Sequence, residues 1–355
     1  MKLNAKRLSI LVAPLNWGLG HATRCIPIIK ALLEHNYKPI IASDGNALAM
    51  LKIEFPDLEI LELPSYQIEY AKNGKNLKWQ LLKNSLKTIK AIQQEKKLVK
   101  SWIKKHNIDG IISDNRFGVF SNKIPSVYLT HQLNVLSGNT TWMTSKLHQN
   151  IIKKHTECWV PDSETTPNLS GELGHLEETK LNIKYIGPLS RFHKKETDKK
   201  FDLMIILSGP EPQRGILERK LKTEILDYSG KTLFIKGVVE KNPIEEQVDH
   251  VTYYNFMTSF ELEQAFNESE RVLCRSGYTT IMDLVKLQKK AFFIPTPGQY
   301  EQEYLAKKYK EEGLVPFAMQ DDFKIENIQV IDNYKRLPQI DSEINWKTLF
   351  QVFEK

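Results

Sequence analysis

Cysteine is scarce in this chain: Cys25, Cys158 and Cys274 are the only three among 355 residues, far apart and without CxxC spacing. That excludes a disulfide framework and a cysteine-built zinc site, and it suits a reducing cytoplasm. No apolar stretch approaches the length needed to cross a bilayer. The N-terminal MKLNAKRLSILVAP has a basic start and a short apolar run, but no small-residue cleavage site follows. We read it as the first buried strand rather than as a signal peptide. D-x-D, the usual mark of a transferase that holds a nucleotide sugar through a divalent metal, is missing, as are G-x-x-x-x-G-K-[ST] and G-x-S-x-G. Low-complexity segments and short repeats are missing too.

What is present is an ordinary globular mix, 41 % hydrophobic and 26 % charged, long enough for two domains. The formal net charge of +7 favours phosphate-bearing partners. From Lys72 to His106, eleven lysines face one acid, Glu95, while Leu82, Leu86, Ile89, Val99, Trp102 and Ile103 recur at roughly helical spacing. That predicts a basic amphipathic helix or helix pair. Its apolar stripe packs on its own domain, or it offers anionic membrane a surface anchored by Trp79 and Trp102. Nucleic acid is not the expected partner, because no base-stacking aromatics interleave these lysines.

Apolar runs alternate with helical patterns. Leu8–Ala13, Pro39–Ser43 and Leu58–Leu63 read as strands, Ala22–His35 and Asn46–Glu54 as helices; further strands end near Asp114, Thr130 and Pro161. After the polar run around RFHKKETDKKFD the unit repeats: strands at LMIILSG, KTLFIKG, HVTYYNFM, RVLCRSG and KAFFIPTPG, helices at Arg214–Asp227, Glu261–Ser269 and Thr279–Lys286. This predicts two α/β Rossmann-like domains with parallel sheets, 1–188 and 189–335, and a helical tail at 336–355.

Ligands of such sheets bind beyond the carboxyl ends of the strands. VAPLNWGLGHATR places Gly18, Gly20 and His21 there, at the start of a helix. The glycines permit close backbone approach, and the helix dipole would lower the pKa of His21, leaving a neutral imidazole able to accept a proton. The same loop imitates a dinucleotide fingerprint with Asp44 as its acid, but Thr23 stands in place of the third glycine. A tight turn with His21 as a helix cap is the plain structural alternative. In the second half, LCRSGYTTIMDL crowds hydroxyls and backbone donors around Ser276 and Gly277, suited to a diphosphate, with Asp283 one turn on, suited to ribose hydroxyls. Ser208 and Gly209 sit on another strand-end loop, and Glu301 and Gln302 follow a further one, where they could grip sugar hydroxyls.

In these residues the chain resembles the two-domain GT-B glycosyltransferases, most of all the MurG-like group, over about residues 8 to 315. The group's Gly-rich loop ending in Gly-His matches Gly18, Gly20 and His21. Its His-Glu-Gln-Asn block matches HQLNVLSG, keeping His131, Asn134 and Gly138 but carrying Gln132 and Leu133. Its Arg-Ser-Gly donor block matches Arg275, Ser276 and Gly277, with Asp283 where the group has Glu. The paired-glutamine loop keeps Gln302 after Glu301, and Arg191 lies one residue from the group's diphosphate-contacting arginine. Ser208 and Gly209 match part of its Gly-Gly-Ser-Gln-Gly loop.

The resemblance implies an inverting, metal-independent transferase. It would move a sugar, N-acetylglucosamine or another hexose, from a UDP-sugar donor to a hydroxyl of a lipid-linked or soluble acceptor, at the cytoplasmic face of a membrane. His21 is then the base, and Asp114 the alternative base or the group that orients it. Gly18, Gly20, Arg191, Ser208, Gly209, Arg275, Ser276, Gly277, Asp283, Glu301 and Gln302 would hold the donor; His131 and Asn134 belong to the acceptor side. No cofactor or metal is expected. A UDP-sugar epimerase and a non-catalytic nucleotide-sugar- or nucleic-acid-binding protein are the alternatives.

Overall fold

The computed structural model describes residues 7–66, 77–240, 245–340 and 343–354, and omits the side chains of residues 77–86. Its first sheet contains β1 (Ser9–Pro14), β2 (Lys38–Ser43), β3 (Glu59–Glu62), β4 (Ile108–Asp114), β5 (Ser126–Leu129), β6 (Glu157–Val160) and β7 (Ile183–Tyr185). All pair in parallel, in the order β3-β2-β1-β4-β5-β6-β7. The second contains β8 (Phe201–Ile206), β9 (Thr232–Ile235), β10 (Glu245–Val248), β11 (Val251–Tyr254), β12 (Ser269–Cys274) and β13 (Lys290–Phe293). Its order is β10-β11-β9-β8-β12-β13, parallel except for the β10–β11 hairpin at the edge. Both are doubly wound. Strand order reverses beside β1 in one and beside β8 in the other, so each crevice opens at the end of its lobe's first strand.

The helices are α1 (Gly20–Glu34), α2 (Gly45–Glu54), α3 (Leu77–Lys105), α4 (Thr141–Ile152), α5 (Gln213–Glu224), α6 (Ser259–Asn267), α7 (Tyr278–Leu287), α8 (Tyr300–Glu311) and α9 (Trp346–Phe350). Buried-on-both-faces strands such as SILVAP and the α1 face bearing Ile26, Ile29 and Leu32 supply the apolar core between sheet and helices. The tail returns to the first lobe. Phe350 meets Tyr37 edge-on at 5.3 Å, and the Tyr37 hydroxyl donates to Glu354 Oε1 at 2.8 Å.

The basic stretch forms one helix, α3. The beginning of that stretch and the side chains of Trp79, Leu82 and Leu86 lie outside the described residues. Where α3 is described, Ala91, Val99 and Trp102 are buried against its own lobe, which removes Trp102 as a membrane anchor. Glu95 is also fully buried, accepting from Arg116 Nη1 at 2.9 Å and the Tyr66 hydroxyl at 2.7 Å. The outward face is left with lysines, among them Lys90, Lys96, Lys97, Lys100, Lys104 and Lys105. No described helix is long and apolar enough to cross a membrane.

Candidate active site

A cavity of about 510 Å³ lies between the lobes. The β1–α1 loop, with Gly18, Gly20 and His21, lines one wall; the starts of α7 and α8 and the β8–α5 loop line the other. The lobes touch across it. The Thr279 hydroxyl donates to the Gly20 carbonyl at 3.1 Å, and the Tyr278 hydroxyl reaches Pro161 O at 3.0 Å. Gly18 has φ +68°, and a Cβ there would come within 3.9 Å of Gly209 Cα. Neither α1 nor α7 has a side-chain cap, so their first N–H groups are free for a ligand.

On the first-lobe wall, His21 is 14 % exposed and its Nδ1 lies 2.9 Å from Asp114 Oδ1. Arg24, one turn along α1 and almost completely buried, grips the same carboxylate: Nε donates to Oδ2 at 2.7 Å and Nη2 to Oδ1. Burial by itself would raise the Asp114 pKa, but Arg24 and His21 hold it well below the usual carboxylate range. Asp114 is fully buried, doubly engaged and outside the cavity lining, so its carboxylate stands behind the His21 ring and away from the open space. Burial lowers the His21 pKa, with Asp114 opposing and Arg24 assisting. Arg24 Nη2 also approaches His21 Nδ1 at 2.9 Å. Because Nη2 has the carboxylate as acceptor, the assignment that satisfies all three groups puts the proton on Nδ1 and leaves Nε2 as the lone-pair nitrogen.

Asp44 belongs to a separate cluster. It is buried, paired with Arg116 and held by Asn16 Nδ2 at 3.2 Å, away from the cavity, which removes the dinucleotide reading.

The second-lobe wall is barer. A Cβ placed on Gly277 or on Gly209 (φ +102°) would meet nothing within 4 Å, so open space stands over both backbones. Ser208, Gly209, Arg191, Gly277, Thr279, Thr280 and Asp283 line the cavity. Arg191 Nη1 donates to Ser259 Oγ at 2.9 Å while its buried Nε has no partner among the described residues. Asp283 accepts from Ser190 Oγ at 2.6 Å, and burial pushes its pKa up to about 7 against the pull of Arg191 and Ser190.

Five expected donor or acceptor residues have their polar groups engaged elsewhere. Arg275 is buried outside the lining, its Nη1 and Nη2 taken by the carbonyls of Gln213, Ile294 and Pro295 and by Gln320 Oε1; it braces the loops behind the site. Ser276 is fully buried and donates to Gln302 O at 2.8 Å. Asn134 donates to Glu172 O at 2.7 Å and staples the loop after β5, away from the cavity. Gln302 lines the cavity, but its amide is engaged in its own loop, with Thr296 N at 2.9 Å and Gln299 Oε1 at 2.6 Å. Glu301 crosses the cleft, accepting from His131 Nε2 at 2.7 Å and from Gln132. Burial opposes its ionisation, yet His131 keeps its pKa below the ordinary value. Tyr278 stacks on His131 at 4.1 Å with the rings 3° from parallel.

Arg24 is a site residue that no sequence motif singled out. Its position three residues after His21 on a helix was the available signal, since such residues share a face. Tyr278 as a cross-lobe stack carried no local signal. Among the described residues no cluster of three or more His, Cys, Asp or Glu side chains is arranged to hold a metal ion.

Comparison with known proteins agrees with this architecture. Residues 213–333 match the family model of the glycosyltransferase family 28 C-terminal domain. A UDP-N-acetylglucosamine–N-acetylmuramyl-(pentapeptide) pyrophosphoryl-undecaprenol N-acetylglucosamine transferase from Haemophilus ducreyi is 22 % identical over 261 residues, covering 70 % of this chain and 69 % of its own length. The crystal structure of Acinetobacter baumannii MurG superimposes with a TM-score of 0.54 at 12 % identity, covering 92 % of each chain. A Listeria monocytogenes structure provisionally named a UDP-N-acetylglucosamine 2-epimerase gives 0.62 at 11 % identity, covering 95 % of this chain and 93 % of that one. Likeness at such identities speaks for the fold, and the family 28 domain with its named relatives speaks for the reaction class: the chain is a glycosyltransferase of the GT-B fold, similar to the MurG-like group.

Proposed function

We propose that this chain moves a sugar, N-acetylglucosamine or another hexose, from a UDP-sugar to an acceptor hydroxyl, with inversion and without a metal. One observation carries the reading: His21, oriented by Asp114, and the uncapped start of α7 with Asp283 face the same cavity from opposite lobes. The second lobe holds the donor. Backbone N–H groups at Gly277 and Thr279, with the α7 dipole and the open Gly209 backbone, take the diphosphate; Arg191 adds charge; Asp283 takes the ribose hydroxyls. On the first lobe, Nε2 of His21 removes the acceptor proton as its oxygen attacks the anomeric carbon opposite the departing diphosphate. Asp114 stabilises the imidazolium that forms. The lobes position both reactants, so proximity supplies much of the acceleration.

The lysine face of α3 supports an acceptor at an anionic membrane surface. So do the exposed Trp142, Met143 and Leu147 on α4, whose other face brings His148 to the cavity.

His21→Ala is expected to lower turnover of UDP-sugar by about 10²–10⁴-fold while leaving the UDP-induced thermal shift in place. Ligand at a hundred times its Kd stabilises by about 2.7 kcal/mol, so a thermal-shift series of nucleotides and nucleotide sugars identifies the donor. Unchanged turnover would remove His21 from the chemistry. Interconversion of the sugar nucleotide with no acceptor present would instead assign an epimerase.

A further inference from the structure

Arg24 touches His21, Asp114 and His131 at the centre of the first-lobe wall; almost completely buried, it meets the cavity only at its lining, and the transfer step assigns it no part. Its Nε and Nη2 hold Asp114 on β4. Its Nη1 reaches His131 Nδ1, in the loop after β5, at 3.0 Å. A guanidinium has donors only, so His131 Nδ1 is the acceptor, and the proton of a neutral His131 sits on Nε2. That nitrogen therefore presents a donor to Glu301 Oε1, 2.7 Å away on the opposite lobe, while Tyr278 of α7 stacks on the ring. An unbroken chain of contacts thus runs from His21 through Asp114, Arg24 and His131 to Glu301.

We propose that Arg24 is a positioning residue that couples the base to the seating of the donor lobe, by choosing which nitrogen of His21 carries the proton. The inference rests on the glycosyltransferase reading with His21 as base. With the lobes together, Glu301 and Tyr278 hold His131 in place to accept from Nη1, and Asp114 occupies the other guanidinium donors. His21 Nδ1 then donates to Asp114, and Nε2 is free to accept the substrate proton. With the lobes apart, His131 loses its partners on α8 and α7 and no longer anchors Nη1. The released guanidinium then rotates about Nε, which keeps Asp114 Oδ2, and exchanges the Nη2 bond to Asp114 Oδ1 for one to His21 Nδ1, which Nη2 already approaches at 2.9 Å. That contact makes Nδ1 an acceptor, moves the proton to Nε2 and leaves His21 unable to act as base. The charged and titratable groups facing this centre are Asp114 from β4, Arg24 and the Cys25 thiol from α1, His131 from the loop after β5 and Glu301 from α8. The Cys25 thiol is held protonated by burial, so the switching groups are the two imidazoles and the guanidinium between them.

The test is a double-mutant cycle on the full chain with UDP-sugar in single turnover. Arg24→Lys keeps a cation beside Asp114 but loses the planar fork that reaches His131. Glu301→Ala removes the cross-lobe acceptor of His131. Each alone should slow the transfer about tenfold, and the pair together no more than either one. His131→Phe, which keeps the Tyr278 stack and loses both nitrogens, should match Arg24→Lys. Multiplying losses would overturn the coupling. Nitrogen-15 spectra of His21 supply a readout that needs no turnover: Nε2 unprotonated in the wild type with UDP, shifted toward Nε2–H in Glu301→Ala. An unchanged tautomer in that variant would likewise overturn the proposal. Absence of both transfer and UDP stabilisation in the wild type would sink the glycosyltransferase reading itself, and the spectra would still decide the coupling.

Discussion

The β1–α1 and β12–α7 mouths are built alike and furnished in opposite ways. Each is a strand, a glycine turn and an uncapped helix start. At the first, side chains fill the turn: His21, Asp114, Arg24 and His131 satisfy one another at 2.7–3.0 Å. At the second, the backbone is bare above Gly277, and the one acid, Asp283, is held near neutrality by burial. A proton-handling site needs fixed tautomers and hence saturated partners. An anion-holding site needs unsatisfied N–H groups and room. On the proposed reading, one supersecondary unit, used twice, serves both purposes because its chemistry lies in the turn.

Breaking the saturated mouth should cost most. Arg24→Met strands a buried Asp114, and the expected loss is about 3–5 kcal/mol in denaturant unfolding. Arg24→Met with Asp114→Asn, which removes both charges, should recover most of it. Asp283 comes next. Its folded pKa stands above the unfolded value, so its contribution to stability is complete below about pH 4 and declines as pH rises to about 7. Asp283→Asn should therefore gain on the order of 3 kcal/mol relative to wild type above neutrality and nothing near pH 3, while weakening UDP binding. Urea titrations across pH, read beside UDP thermal shifts, check both signs.

Filling the bare mouth should separate binding from stability. Gly277 has an ordinary φ of −72° and space for a methyl. Gly277→Ala is expected to leave the unfolding midpoint near wild type and weaken UDP by roughly tenfold, about 1.4 kcal/mol, in a calorimetric titration. The smallest effect belongs to the bond joining the two mouths. Thr279→Val deletes the hydrogen bond to the Gly20 carbonyl and should cost about 0.5–1.5 kcal/mol of stability.

Much of this frame was readable along the chain. Short continuous apolar runs, glycines at strand ends and amphipathic helices are local patterns, and they announced both parallel sheets and the turns bearing His21 and Asp283. The α3 stripe announced a helix without saying what it faces. Arg275 and Asn134 matched a motif in order and residue type, yet carbonyls from distant loops claim their side chains. Glu301 read as a sugar contact, and the fold hands it to His131.

Residue order settled what kind of element stands where, because backbone periodicity and turn chemistry act over a few neighbours. Folding settled which polar atoms remain available. His21 finds Asp114 93 positions away, Arg24 finds His131 107 away and His131 finds Glu301 170 away. Such pairings follow from how strands stack in a sheet and how two lobes meet, and burial then sets their charge by removing the water that would have screened it.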